Sequence, residues 1–178
     1  MKKIERCERL IIVYTGNGKG KTTAAVGLGI RAAGHNKQVV MFQFMKGTDT
    51  TGEVIISRSI KNFKIFQLGR KTFVNLKNPA PEDIELAKKG LKKVEEYLEN
   101  THTDLVILDE INVATHYKLI KVEEVLKLLE KYKDKVTFVL TGRYASSEFI
   151  DVADTVTVMC EVKHHYNKGF VSVEGIDW

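Results

Sequence analysis

The chain has 178 residues, 43% hydrophobic and 29% charged, with a formal net charge of +5. That length suits one domain with a proper core, and the composition is that of an ordinary water-soluble globule. No apolar run approaches a membrane span, no signal-peptide pattern precedes Ile11, and the isolated Cys7 and Cys160 make neither a zinc site nor a disulfide framework. A cytoplasmic, reducing setting follows.

Taken in chain order, strand-like apolar runs alternate with helical patterns. Leu10 to Tyr14 is the first run, and Thr15 to Thr23 leads from it into a helix over Ala24 to Ala33, with Gly34 placed to cap it. Runs at Gln38 to Phe44 and Phe63 to Gln67 follow. The irregular stretch Gly69 to Ala80, carrying Arg70, Lys71 and Phe73, is long enough to suggest a functional or mobile loop. Ile84, Ala87, Leu91, Val94 and Leu98 then share one helix face, with Pro81 suited to the first turn. A run at Asp104 to Asp109 comes next. After it, Val122, Val125, Leu126 and Leu129 form a second stripe, with Glu123 and Glu124 early and Lys131 and Lys133 late, matching the helix dipole. The last runs are Val136 to Thr141 and Thr155 to Val162, the latter burying Cys160 as a small hydrophobe.

Nearly continuous apolar runs predict parallel strands covered on both faces. The alternation predicts an α/β sheet with right-handed crossovers, and ligands in such sheets bind beyond the carboxyl ends of the strands. The positive charge would suit nucleic acid, but Lys88, Lys89, Lys92 and Lys93 share a helix with Glu82, Asp83, Glu85, Glu95, Glu96 and Glu99. That is a solvated face of mixed sign, so no nucleic-acid partner is expected.

The chemistry concentrates in Thr15-Gly16-Asn17-Gly18-Lys19-Gly20-Lys21-Thr22-Thr23. A strand, a glycine-rich turn and Lys-Thr at a helix start form the phosphate-cradling P-loop arrangement. Its backbone N–H groups turn onto an anion, the helix adds its positive dipole end, Lys21 reaches the terminal phosphates and the Thr22 hydroxyl binds magnesium. Thr15 stands where the usual pattern has glycine. A nucleoside triphosphate is the expected ligand. The run Leu105-Val106-Ile107-Leu108 ends in Asp109-Glu110, one of which is expected to be the second metal anchor; the plainer reading is an acidic pair capping a helix. Lys19 has two readings, turned inward onto phosphate or outward into solvent. Arg143, in Thr141-Gly142-Arg143, either pairs with a phosphate or salt-bridges Glu148 or Asp151. Arg31, farther along the first helix, is more ambiguous. His164 and His165, adjacent on a strand, would face opposite ways and chelate nothing together. Phe63, Phe66 and Trp178 are expected to pack rather than stack on a ligand.

As a set, Tyr14 to Ala25, Gln43-Phe-Met-Lys-Gly47, Leu108-Asp-Glu110, Thr141-Gly-Arg143, Asp151 to Thr155, Val162-Lys-His164 and Gly175-Ile-Asp-Trp178 resemble the P-loop class of ATP:cob(I)alamin (corrinoid) adenosyltransferases. The likeness runs nearly end to end, and Thr15 agrees with that family's loop. It implies a RecA-like P-loop fold with a mostly parallel central sheet and helices on both faces, in a homodimer. The implied reaction transfers the 5′-deoxyadenosyl group of ATP to the reduced cobalt of a corrinoid and releases triphosphate. Carried over by motif, Thr15 through Thr23 bind ATP, with Arg31 and Arg143 as nucleotide contacts. Lys21, Thr22 and Glu110 become the catalytic residues, and Thr22, Glu110 and Asp109 the ligands of Mg2+ or Mn2+. Phe73 is the nearest counterpart of the aromatic residues that help hold the corrinoid, while a tryptophan common in some members has an aliphatic residue near Val74 in its place. A flavoprotein is the implied reductant. Two other functions fit the loop alone: a RecA-like ATPase or kinase, with Glu110 acting on water or a hydroxyl acceptor, and an ATP-gated corrinoid carrier or nucleic-acid switch that performs little chemistry.

Overall fold

Six short segments rich in β-branched and aromatic residues build the centre of the molecule. In the computed structural model, which describes residues 9–72 and 74–178, they are β1 (Ile11–Thr15), β2 (Val39–Phe44), β3 (Phe63–Leu68), β4 (Leu105–Asp109), β5 (Thr137–Thr141) and β6 (Thr155–Val158). Cys7 and Phe73, both singled out from the sequence, lie outside the described residues. The strands pair in parallel throughout, in the order β3-β2-β4-β5-β1-β6. Six α-helices surround them: α1 (Lys21–Gly34), α2 (Gly52–Ser57), α3 (Pro81–Asn100), α4 (Ile111–His116), α5 (Val122–Tyr132) and α6 (Ser147–Val152). This is the expected α/β architecture of RecA-like type.

Side chains alternate between the two sheet faces, and both faces are apolar. Val40, Phe42, Phe44, Val106, Leu108, Phe138 and Leu140 join the core that α3, α4 and α5 cover. Val39, Met41, Leu105, Ile107 and Val139 join the second core, with Ala25 and Ala33 of α1. The α3 stripe behaves as its spacing predicts: Ala87 and Val94 are buried, and Ile84, Leu91 and Leu98 pack against the core. Pro81 opens that helix, and Asp83 accepts a hydrogen bond from the Ala80 N–H at 3.2 Å. Arg70 clamps Asp83 through Nε and Nη2, both at 2.8 Å, which fixes the start of the 69–80 loop to the helix.

The strand order decides where the chemistry sits. β5 lies between β1 and β4, so the ends of β1 and β4 are two strand spacings apart, about 10 Å, on one edge of the sheet.

Three details correct the sequence reading. Gly34 is the last helical residue of α1, and the left-handed position belongs to Asn36, with φ 61°. The last strand stops at Val158, opposite Thr15 where its partner β1 ends; the Met159 N–H still bonds to the Thr15 carbonyl, and Cys160 is exposed and outside any strand. His165 begins a short 3-10 helix (His165–Lys168), so the His164 and His165 rings do not point to opposite faces but lie 4.6 Å apart. Among the described residues no helix is long and apolar enough to cross a membrane.

Candidate active site

β1 delivers the chain to the sheet edge at Thr15, and the next five residues turn into α1. Gly16 and Gly20 take φ of 95° and 111°, where a side chain would be strained. Gly18 answers a different demand. A Cβ there would lie 2.8 Å from the backbone of Cys160 and from the Met159 carbonyl oxygen, and the Gly18 N–H donates to that oxygen at 2.7 Å. The loop is thus braced by the segment that follows β6. Thr15 explains its own departure from glycine: it is buried, and its Oγ1 accepts the Ala145 N–H at 3.2 Å, tying the loop to the chain after β5.

Lys21 folds over the loop and donates to the Gly16 and Gly18 carbonyls at 2.8 and 2.6 Å. Burial lowers its pKa below the ordinary lysine value, partly offset by Glu110 and Asp109. The first N–H groups of α1 have no partner within the helix, so they and Lys21 offer donors to a polyanion at one place.

At the end of β4, Asp109 is completely buried. Its Oδ1 accepts from Thr22 Oγ1 at 2.8 Å and Thr141 Oγ1 at 2.7 Å, and its Oδ2 from Lys46 Nζ at 2.8 Å and Gln43 Nε2 at 3.3 Å. Burial alone would lower the Lys46 pKa, but the adjacent Asp109 carboxylate outweighs it and holds the ammonium above its ordinary value. Glu110 takes a left-handed φ of 62°, which turns its side chain out of the strand direction, and its N–H donates to Thr141 Oγ1 at 3.0 Å. Its carboxylate accepts no hydrogen bond among the described residues. Burial first, then the neighbouring Asp109 charge, raises its pKa, opposed by Lys46, Lys21 and Arg143.

A cleft of about 390 Å³ opens beside these groups, with Lys21, Thr22, Glu110 and Arg143 as its polar lining and Leu76, Val113, Tyr117 and Tyr144 as its apolar one. Tyr144, at φ 62°, stacks on His116 with ring centroids 4.4 Å apart, and His116 meets Tyr117 edge-on at 4.9 Å. A second cleft, of about 270 Å³, borders Thr22 and Thr23 and includes Lys46, Glu53, Asp177 and Trp178. Trp178 thus lines a cleft, where the sequence reading has it packing.

Hard oxygen donors suit Mg2+ or Mn2+. The Thr22 hydroxyl donates its hydrogen bond to Asp109, which leaves its oxygen lone pairs free, and the Glu110 carboxylate is unengaged nearby. No group of three or more His, Cys, Asp or Glu suited to a metal occurs among the described residues. The residues present therefore fit an ion that brings most of its ligands with it on phosphate oxygens.

The structure brings Thr15 through Thr23, Asp109, Glu110 and Arg143 to one sheet edge. Arg143 Nη2 donates to the Asn17 carbonyl at 3.4 Å and makes no ion pair with Glu148 or Asp151 among the described residues. Lys19 is exposed and pairs with Asp177 near the C-terminus. That pair, with the Val173 N–H, depresses the Asp177 pKa to about 2. Arg31 is exposed in the last turn of α1, ten residues from Lys21 and so about 15 Å along the axis; within one chain it does not reach the loop. Sequence reasoning missed Gln43, Thr141 and Lys46 as partners of Asp109, although Gln43 to Gly47 and Thr141 to Arg143 stood among its motifs. Tyr117 and Tyr144 gave no sequence signal.

The fold and this edge define a P-loop nucleotide-binding protein of the RecA-like type, with a mixed polar and aromatic cleft beside the phosphate loop. The chain belongs to the ATP:corrinoid adenosyltransferase BtuR/CobO/CobP family, whose model matches residues 8–178. It is 36% identical over 171 residues to the corrinoid adenosyltransferase of Sinorhizobium sp, covering 95% of this chain and 80% of that one. It is 34% identical over 170 residues to the Escherichia coli (strain K12) corrinoid adenosyltransferase, covering 95% and 85%. It is 35% identical over 170 residues to the corrinoid adenosyltransferase CobA of Salmonella typhimurium, with the same coverage.

Proposed function

We propose that this chain transfers the 5′-deoxyadenosyl group of ATP to the reduced cobalt of a corrinoid, with inorganic triphosphate as the leaving group. Within the family, the observation that carries the site assignment is the meeting of Lys21, Thr22 and Glu110 in one cleft at the phosphate loop. The new bond joins cobalt to C5′ with an electron pair from cobalt, and the C5′–O bond breaks with its pair going to the triphosphate. Neither event requires a proton to be removed, so no general base is needed. What the protein must do is hold the chain of phosphates and stabilise its growing charge. Lys21, the N–H groups of the α1 start and Arg143 converge for that task, and Lys19 joins them if it leaves Asp177. Thr22 and Glu110 would hold Mg2+ or Mn2+, with Asp109 orienting Thr22; the ion supplies further neutralisation of the triphosphate.

The chain acts as one domain, in a cytoplasmic homodimer, with a flavoprotein as electron donor and Phe73 on the corrinoid. Arg31 then serves ATP only from the neighbouring protomer. Phosphorus NMR of a reaction containing ATP, magnesium and chemically reduced corrinoid tests the function. Triphosphate alongside a light-sensitive cobalt–carbon product is the expected outcome, and ADP with phosphate as the only nucleotide products would establish the ATPase or kinase reading instead. Phe73→Ala should slow adenosylation of cob(II)alamin under mild reductant more than that of preformed cob(I)alamin; equal losses would remove Phe73 from the corrinoid site.

A further inference from the structure

Lys46 has no role in the reaction just described, yet its placement is closely determined. Met45 takes φ 61°, a conformation methionine rarely adopts, and the turn it makes returns the chain over the sheet edge. The turn is pinned from behind: a Cβ at Gly69 would lie 2.4 Å from the Met45 backbone, and one at Gly47 would lie 2.4 Å from the Gly69 carbonyl oxygen. From this fixed base the Lys46 ammonium reaches Asp109 Oδ2 at 2.8 Å, beside the Gln43–Glu53 hydrogen bond of 2.9 Å.

The consequence lies in how Asp109 is used. An ionised carboxylate has about four lone-pair sites. Thr22, Thr141, Gln43 and Lys46 fill them, and the residue has no exposure to water. Nothing on Asp109 is left for a metal, and its charge is already matched by an ammonium. A divalent ion approaching Thr22 without nucleotide would find Asp109 already neutralised by Lys46 and would meet Lys21 and Arg143 against one unengaged carboxylate in that cleft, Glu110, while Glu53 in the neighbouring cleft is hydrogen-bonded to Gln43. Only a polyphosphate reverses that balance.

We propose that Lys46 is a built-in counter-cation that keeps free divalent metal off the Thr22–Asp109 pair, so that metal enters only together with the phosphate chain. Lys46 acts through Asp109 and is a positioning residue. The inference rests on the loop being a polyphosphate site, but its main test does not depend on that.

Mn2+ binding to the full chain, followed by electron paramagnetic resonance without nucleotide, is the measurement. Lys46→Gln keeps a hydrogen-bond donor and removes the charge; it should bind free Mn2+ at least tenfold more tightly than wild type. Lys46→Arg, which keeps the charge, should bind as weakly as wild type. Measured against a protein-free Mn2+–triphosphate control, adding inorganic triphosphate to wild type should tighten the binding of Mn2+ to the protein at least tenfold. Equal free-Mn2+ affinity in wild type and Lys46→Gln overturns the proposal. So does a wild-type protein that takes up Mn2+ as tightly without triphosphate as with it, a comparison that survives even if Lys46→Gln fails to fold. Failure of wild type to bind triphosphate in EDTA would instead count against the loop as a polyphosphate site, and the free-metal comparison would still decide the part played by Lys46.

Discussion

Replacing Gly18 by alanine tests whether the phosphate loop is braced from outside. Its backbone is not in a left-handed conformation, so alanine brings no dihedral strain, and the whole effect is contact. The added methyl would sit 2.8 Å from the Cys160 backbone and the Met159 oxygen, where carbon–oxygen contacts normally need about 3.3–3.6 Å. The two segments must part by roughly half an ångström or more, which stretches the 2.7 Å bond from Gly18 N–H to Met159 O. Overpacking costs about 1–3 kcal/mol, and the weakened hydrogen bond about 0.5–1.5 kcal/mol. A combined loss of about 1.5–4.5 kcal/mol would lower Tm by about 3–18 °C in a protein of this size. Gly27→Ala is the control: that position is mid-helix with nothing within 4 Å of an added Cβ, so it should gain about 1 kcal/mol. Scanning calorimetry measures both, and titration calorimetry with ATP should show weakened binding in Gly18→Ala alone. A Gly18→Ala protein with wild-type Tm and wild-type ATP affinity would refute the bracing argument.

Asp109→Asn presents an amide N–H₂ to donors and leaves the Lys46 charge without its partner; urea unfolding at neutral pH should show a loss of about 3–5 kcal/mol. Lys21→Ala should abolish ATP binding by calorimetry. Because Lys21 is buried and ties two loop carbonyls, it should also cost about 1–3 kcal/mol of stability, where an exposed lysine would cost nothing. Glu110 must be ionised to hold a cation, and its pKa lies above the ordinary 4.5. Activity, read as kcat/KM for metal–ATP, is therefore present above that raised value and lost as pH falls through it; Glu110→Gln should lack this acid limb. Stability runs the other way, since the folded state binds the proton more tightly than the unfolded chain. It declines as pH rises through the raised pKa, and Glu110→Gln should remove that decline in urea unfolding.

The strands and the loop were legible because their signals are local. Runs such as Leu105 to Leu108 are apolar on both faces, and the glycines and lysine of the loop need no distant partner to be recognised. The short helices α2, α4 and α6, six residues each, escaped because they are too brief to display a period. Carboxylate use was not legible either. Asp109 and Glu110 are adjacent in sequence, yet one is sealed behind four hydrogen bonds and the other faces the cleft, a division set by the left-handed turn at Glu110. The pairing of Lys19 with Asp177 depends on the path of the chain after β6, which periodicity does not encode.

The bond from Gly18 to Met159 spans most of the chain. During synthesis, at about 5–20 residues per second, the glycine-rich turn emerges early but waits roughly 7–28 seconds for the backbone that holds its shape. A stalled or truncated product would carry the recognisable motif without a competent pocket. Nascent chains should therefore neither sequester ATP nor gain stability from it until translation is nearly finished.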